Sequence, residues 1–191
     1  MLPVELRFFA VQTVECFIKQ RLCFVVEVAV SIKEITEDRW DQIVQLEAAA
    51  YSDIAPESKE TLRSKWLASP DLCFVFEQEQ AVVAYLLAHS WHSIAPPNLF
   101  EPLAETSEGK YLFIHDLVVA TSHAGLGLGR MMVQHLFNQT SVRMFESALL
   151  VAVQHSQTFW AKQGFSPAPE QTLSDAYGPG AVLMHRPLAA L

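Results

Sequence analysis

Glycine is scarce in this chain and unevenly placed. The 191 residues include seven glycines, none of them before Gly109, and three fall within five residues, at Gly125, Gly127 and Gly129. An average chain contains about 7% glycine, so this one uses it sparingly. Because glycine is the residue that leaves the backbone bare and free to adopt unusual dihedral angles, the cluster indicates one place where bare backbone is needed.

Cationic residues are also few. Thirteen Lys and Arg stand against twenty-one Asp and Glu, which gives a net charge of −8, and no run of basic residues occurs. A nucleic-acid partner is therefore not expected, because binding to phosphate backbones requires a clustered cationic surface.

Cysteines and long apolar runs are likewise scarce. Three cysteines are an odd number without metal-ligand spacing, which predicts reduced thiols, no metal site and a cytoplasmic location. No uncharged apolar stretch reaches the roughly 20 residues of a membrane span, so we expect no membrane association. The cysteines are Cys16, Cys23 and Cys73.

The chain is rich in residues that build a core. Hydrophobic residues make up 51% of it, and its length suits one domain, which we place at 28–191. Residues 1–27 are apolar and aromatic without a single period, and we assign this N-terminal extension no function. Alternating and helical patterns predict the order β-α-α-β-β-β-α-β-α-β, a mixed α/β sheet. The strongest strand is YLFIHDLVV (111–119), and a long loop precedes it (91–110).

The glycine cluster lies between that strand and a predicted helix, in the segment H-A-G-L-G-L-G-R. Free N–H groups and the positive end of a helix dipole bind a diphosphate without lysine. No Gly-Lys-Ser/Thr follows, which excludes a Walker loop, and Arg130 stands where a dinucleotide-binding loop needs glycine or alanine. The alternative is a tight turn without a ligand, but three alternate glycines favour anion binding.

Three motifs in this region resemble those of the GNAT N-acetyltransferase superfamily. The family's loop, Arg/Gln-x-x-Gly-x-Gly/Ala, is matched from Ala124 to Gly129 except at its first position, where His123 or Arg130 is a candidate substitute. LVV (117–119) resembles the family's LAV segment, and FWAKQGF (159–165) resembles its FYEKxGF signature. The resemblance spans about 28–188 and implies a mixed, mostly antiparallel central sheet flanked by helices.

The resemblance also implies acetyl-CoA as co-substrate, with no metal. Its pantetheine arm would lie along Leu117, Val118 and Val119, and a backbone N–H near Val119 would polarise the thioester. The residues that would hold its diphosphate are Ala124, Gly125, Leu126, Gly127, Leu128, Gly129 and Arg130. Within the superfamily, the segments 69–77 and 81–91 and a histidine at position 115 are most similar to arylalkylamine-type small-amine acetyltransferases.

His115 is the candidate general base, because an imidazole pKa near 6.5 suits proton transfer at neutral pH. Strand alternation predicts that His115 shares one face with Phe113 and Leu117, while Asp116 lies on the opposite face. A histidine packed in the core and bonded to backbone is the alternative. Trp160 replaces the tyrosine that often acts as the family's acid, so Tyr177 is the candidate acid, with a turn role as its alternative.

Three residues are predicted to contact the acceptor substrate: Trp91, Tyr51 and Asp116. Asp53 is a further candidate. Their alternatives are an aromatic anchor in an ordered loop for Trp91, an ion pair or turn contact for Asp116, and a solvated loop carboxylate for Asp53.

The predicted activity is acetyl transfer from acetyl-CoA to a primary amine of a small molecule, by direct attack. One alternative changes the acceptor to a protein N-terminus or a lysine. Another is a non-catalytic acyl-CoA-binding module, which the departures at Ala124 and Trp160 favour. The sequence leaves open whether two copies form a homodimer.

Overall fold

A computed structural model describes residues 30–51, 55–104, 109–139, 142, 144–169 and 173–188. The predicted extension 1–27 and the candidate Asp53 lie outside these residues. No helix in the described ranges is long and apolar enough to cross a membrane. The helices and strands of the described part are β1 (Val30–Glu34), α1 (Trp40–Ala50), α2 (Lys59–Ala68), β2 (Phe74–Gln78), β3 (Ala81–Trp91), β4 (Tyr111–Val119), α3 (Leu128–Phe137), β5 (Ser147–Ala152), α4 (Gln157–Lys162), β6 (Ser166–Pro167) and β7 (Val182–Pro187).

The strands form one sheet in the order β1-β2-β3-β4-β5-β7-β6. All neighbours are antiparallel except β4 and β5, which are parallel. The predicted fold class, a mixed and mostly antiparallel sheet flanked by helices, is confirmed. Strand β6 was not predicted, because two residues at a sheet edge are too short to show an alternating pattern.

Each face of the sheet is covered by one pair of helices. Strand β2 illustrates the division, because Phe74 and Phe76 pack with apolar residues of α3, whereas Val75 packs with residues of α1 and α2. The fold therefore has three layers with a core on each side of the sheet, as alternating strands buried on both faces require.

The sheet opens between its two central strands. Strands β4 and β5 pair at only three positions, from Tyr111 opposite Ser147 to Phe113 opposite Leu149. β4 continues to Val119 and β5 to Ala152 without further pairing between them. Backbone groups of β4 beyond Phe113 consequently face a gap, where an extended ligand could add hydrogen bonds like those of a strand.

Strand β4 also contains a bulge at His115. Leu87 of β3 pairs with Asp116 and the next residue, Ala88, pairs with Ile114, so His115 is an extra residue. A bulge turns two successive side chains to one side. The prediction that His115 and Asp116 lie on opposite faces is therefore wrong: both contact groups on the α1 and α2 side of the sheet.

Gly109 joins the long loop to β4 where the backbone of the loop passes close to Trp91. A Cβ atom at position 109 would lie 2.0 Å from the carbonyl oxygen of Trp91. Gly109→Ala should lower the free energy of unfolding by about 2–3 kcal/mol, because the backbone must shift to remove this overlap. The measurement is urea unfolding followed by circular dichroism.

Gly180→Ala is the matched control for this variant. Gly180 has a φ of +74° with nothing within 4 Å of an added Cβ, so only the conformational cost of about 1 kcal/mol is expected. Equal unfolding midpoints for the two variants would contradict the close approach at Gly109.

Candidate functional site

A cavity of about 220 Å³ lies where β4 and β5 diverge. Five consecutive residues of β4, Phe113–Leu117, line it, together with residues that follow β5. The remaining walls come from α1, the segment before α2, the long loop, α4 and the turn that contains Tyr177. Its most informative lining residues are Glu47, Tyr51, Glu57, Phe100, His115, Asp116, Leu117, Ser156, Phe159, Trp160 and Tyr177.

The bulge directs His115 to a buried carboxylate. His115 Nε2 lies 2.7 Å from Glu57 Oε2, and the two side chains are 3% and 7% exposed. Burial opposes ionisation of Glu57, but the hydrogen bond from His115 and its charge hold the pKa of Glu57 below its usual range. An ionised carboxylate only accepts, so His115 Nε2 carries the hydrogen of this bond. In neutral His115 the other nitrogen, Nδ1, is then unprotonated, and it has no partner among the described residues.

Glu57 also holds the loop that covers the cavity. Its Oε1 accepts the backbone N–H of Phe100 at 2.7 Å. Two further bonds attach the loop to α2: Lys65 Nζ donates to the carbonyl oxygen of Glu101 at 2.6 Å, and the N–H of Leu103 donates to Ser64 Oγ at 2.8 Å. Burial lowers the pKa of Lys65, which is fully buried. The loop is therefore attached to the same elements that orient His115.

Asp116 follows His115 in β4, lines the same cavity and accepts hydrogen bonds from two tyrosines. Its Oδ1 accepts the hydroxyl of Tyr51 at 2.6 Å, and its Oδ2 accepts the hydroxyl of Tyr85. Burial raises the pKa of Asp116, although both hydrogen bonds favour the ionised form. Burial and the adjacent Asp116 raise the pKa of both tyrosines far above the usual value, so both remain donors.

Glu47 is a second buried carboxyl group at the cavity. It lies on the same face of α1 as Trp40 and Ile43 and is 3% exposed. Its Oε1 accepts the backbone N–H of Glu57 at 3.0 Å. Burial raises the pKa of Glu47 to about 8, and the charges of Asp116 and Glu57 act in the same direction. Glu47 is thus mostly protonated at neutral pH in the structure as described.

Tyr177 reaches the cavity from a short 3₁₀ turn, Asp175–Tyr177. Its hydroxyl donates to the carbonyl oxygen of Pro97 at 2.6 Å, so it also packs against the long loop. Burial raises the pKa of Tyr177, which keeps the phenol protonated. The turn role is present, and the side chain lines the same cavity as His115.

The glycine cluster has two different structural roles. Gly125 and Gly127 have φ values of +78° and +82°, with nothing within 4 Å of an added Cβ, and no side chain caps α3 at Gly127. Gly129 instead permits close packing, since its Cβ would lie 3.3 Å from Phe159. The first turn of α3 therefore presents free N–H groups beside an open, bare backbone, an arrangement that fits an anionic diphosphate.

The two candidate substitutes for the missing Arg/Gln at Ala124 lie on either side of this loop. His123 Nε2 is bonded to Gln78 Oε1 at 2.9 Å. Arg130, in the first turn of α3, lines a separate groove with Lys162 and Arg186. Leu126 is exposed at the loop tip, whereas Leu128 is buried against the core. In the described residues, no group of three or more His, Cys, Asp or Glu side chains is arranged to hold a metal ion.

Trp91, predicted to contact the acceptor, is not among the described lining residues of this cavity. Its indole N–H donates to the carbonyl oxygen of Ala95 at 2.8 Å, and its ring packs on His92. These contacts are those expected of the alternative, an aromatic anchor for the loop. Leu99 and Phe100, further along the loop, line the cavity instead.

Two residues of the site were missed by the sequence analysis. Glu57 precedes the Ser58 cap of α2, which begins at Lys59, so it lies outside any helical pattern that could draw attention to it. Glu47 could have been recognised from the sequence, because it is an acidic residue on the otherwise apolar face of α1. An ionisable residue on a core face requires a partner or a function.

A family model described as the acetyltransferase (GNAT) family matches residues 40–165. No curated protein is significantly similar in sequence. The fold resembles the ribosomal-protein-S18-alanine N-acetyltransferase from Escherichia coli, at 15% identity and a TM-score of 0.61 over 85% of this chain and 96% of that one. It also resembles Arabidopsis thaliana Naa50 in complex with the bisubstrate analogue CoA-Ac-MVNAL, at 14% identity and a TM-score of 0.63 over 83% and 99%. A third similar structure is the GphF GNAT-like decarboxylase in complex with isobutyryl-CoA, at 16% identity and a TM-score of 0.67 over 82% and 98%.

The raised pKa of Glu47 predicts a pH-dependent stability. Its folded pKa of about 8 lies above the ordinary value of 4.5, so its contribution is complete below about pH 4.5 and is lost as pH rises through 8. Relative to Glu47→Gln, the wild type should lose about 4 kcal/mol of unfolding free energy between pH 5 and pH 9. Urea unfolding of both proteins across this range measures the difference.

Glu60→Gln is the control, because Glu60 is an exposed carboxylate on α2. This variant shows what removing one exposed carboxyl group does to stability over the same pH range. A wild-type minus Glu47→Gln difference that does not change with pH would show that Glu47 is ionised normally in the folded protein.

Proposed function

Because the chain belongs to the acetyltransferase (GNAT) family and is an acyltransferase, we propose that it transfers an acetyl group from acetyl-CoA to a primary amine of a small molecule. The resemblance found in the sequence is confirmed at the level of the superfamily. Likeness to the arylalkylamine-type enzymes remains part of this proposal. One observation carries it: the buried His115–Glu57 pair lies in the cavity where β4 and β5 diverge.

The co-substrate is assigned to the gap and the glycine loop. Leu117–Val119, in the part of β4 that no longer pairs with β5, would bond the pantetheine arm through the backbone, because the side chain of Val118 is buried in the core. The diphosphate would lie on the loop Ala124–Arg130 at the start of α3. Two of the similar structures carry CoA derivatives, the bisubstrate analogue and isobutyryl-CoA, which supports CoA as the carrier.

The chain's own groups provide the proton transfers. As the amine nitrogen bonds to the acetyl carbon, its proton passes to His115 Nδ1, directly or through water, and the carbon–sulfur bond breaks. Glu57 is a positioning residue, because its bond to Nε2 sets the tautomer that leaves Nδ1 unprotonated. Tyr177 is assigned as the acid that returns a proton to the departing thiolate, since Trp160 has no acidic proton to give.

The shape of the cavity supports a small acceptor. Its volume is about 220 Å³, and aromatic side chains form much of its wall: Tyr51, Phe100, Phe113, Phe159, Trp160 and Tyr177. A peptide acceptor would need an open groove in place of the loop that Glu57, Ser64 and Lys65 hold down. The alternative of a protein N-terminus keeps support from the names of two similar structures, which include an S18-alanine N-acetyltransferase and a complex with CoA-Ac-MVNAL.

Purified protein should release CoA from acetyl-CoA when small primary amines are added. A thiol assay with aryl, aliphatic and peptide amines measures the release, and small amines should exceed peptides in kcat/KM because the loop restricts the cavity. A higher kcat/KM for peptides than for every small amine would contradict the small-amine proposal and favour a protein acceptor. Thermal stabilisation by CoA without turnover on any amine would instead favour the non-catalytic module.

His115→Gln should lower kcat/KM for the amine by about 10²- to 10⁴-fold, because the general base is lost while the hydrogen bond to Glu57 can be kept. Steady-state kinetics from pH 6 to pH 9 measure the loss, and CoA-dependent thermal stabilisation should be unchanged. His185→Gln on β7, where His185 is 3.3 Å from Ser166 Oγ, is the matched control. Full activity of His115→Gln across this range would remove His115 from the mechanism.

A further inference from the structure

Glu47 places a carboxyl group on the buried face of α1, which is otherwise apolar. Its neighbours on the buried face of α1, Trp40 and Ile43, pack in an apolar cluster, and an apolar side chain at position 47 would continue that cluster. Placing a carboxyl group there costs free energy unless every oxygen finds a partner.

Among the described residues, only half of that requirement is met. Glu47 Oε1 accepts the N–H of Glu57, while Oε2 is buried and has no partner among the described residues. An unsatisfied buried oxygen costs about 1–3 kcal/mol. Because Glu47 lines the same cavity as His115, a ligand in that cavity can supply the missing hydrogen.

The groups facing Glu47 determine what kind of ligand fits. The described lining of the cavity includes no Lys or Arg, and Lys65, behind Glu57, is already bonded to the carbonyl oxygen of Glu101. The titratable groups that face Glu47 or act on it from the elements packed around it are Glu57 before α2, Tyr51 at the end of α1, Tyr85 on β3, and His115 and Asp116 on β4. This lining has three carboxyl groups and no Lys or Arg among its described residues, so it favours a positively charged ligand once Glu47 is ionised.

We propose that Glu47 is the residue that binds the acceptor, through a hydrogen bond from the ammonium form of the amine to its free Oε2. This inference rests on the proposed function and adds that the acceptor enters as a cation. The bound ammonium group loses one proton to solvent, and His115 Nδ1 takes the second proton as the neutral amine attacks the acetyl carbon. A neutral alcohol of the same skeleton lacks the charge and binds weakly.

The occupied site needs Glu47 ionised, whereas burial keeps it mostly protonated below about pH 8. Amine binding therefore releases a proton from Glu47, and affinity should rise with pH. For an amine that stays protonated up to pH 9, the wild-type Kd should fall about tenfold between pH 7 and pH 9, in proportion to the ionised fraction of Glu47.

The test is calorimetric titration of CoA-loaded protein with such an amine and with the matching alcohol. Glu47→Gln should weaken amine binding about 10- to 100-fold at pH 9, abolish its pH dependence, and reduce the preference for amine over alcohol. Glu60→Gln should bind the amine like the wild type. Circular dichroism and CoA-dependent thermal stabilisation verify that each variant is folded.

A Kd for Glu47→Gln within twofold of the wild-type value at both pH values would overturn the inference, and so would the absence of amine binding to the wild type at millimolar concentration. If Glu47→Gln does not fold, the wild-type pH series decides, because amine affinity that is independent of pH also overturns it. Amine binding without CoA release from acetyl-CoA would contradict the proposed function while leaving the role of Glu47 intact.

Discussion

The site depends on one buried carboxylate, Glu57. Its two oxygens bond to His115 and to the backbone of Phe100, and its own N–H bonds to Glu47. These three contacts join β4, the long loop and α1 at a single residue that precedes α2. Removing a partner from a buried ionised group is strongly destabilising. The contacts of Glu57 therefore hold β4, the long loop, α1 and α2 in one arrangement. Glu57 therefore determines both the shape of the cavity and the orientation of the His115 imidazole.

Most of the fold could be predicted from the sequence, because it is encoded in local patterns. The apolar run 111–119 became β4, and the helix predicted after the glycines begins at Leu128. The glycine cluster also indicated the right place, but it combined two requirements. Gly125 and Gly127 are needed for their positive φ angles, whereas Gly129 is needed for close packing against Phe159 and Leu117. The second requirement can be recognised only from the three-dimensional structure.

The site was harder to predict because it depends on pairing across the sheet. A strict period of two placed Asp116 opposite His115, and the bulge that puts them on one face is visible only in the register of β4 against β3. Glu57 is 58 residues from His115 in sequence, and no spacing rule connects them. Trp91 was selected for its aromatic ring, but the turn of the loop points it at Ala95 and brings Phe100 to the cavity.

The three-pair junction between β4 and β5 has a mechanical consequence. Four strands lie on one side of it and three on the other, and the connection between these half-sheets within the sheet is only as wide as Tyr111–Phe113. An extended molecule bound in the gap would form hydrogen bonds to both half-sheets and connect them. The half-sheets would then move less against each other when the gap is filled.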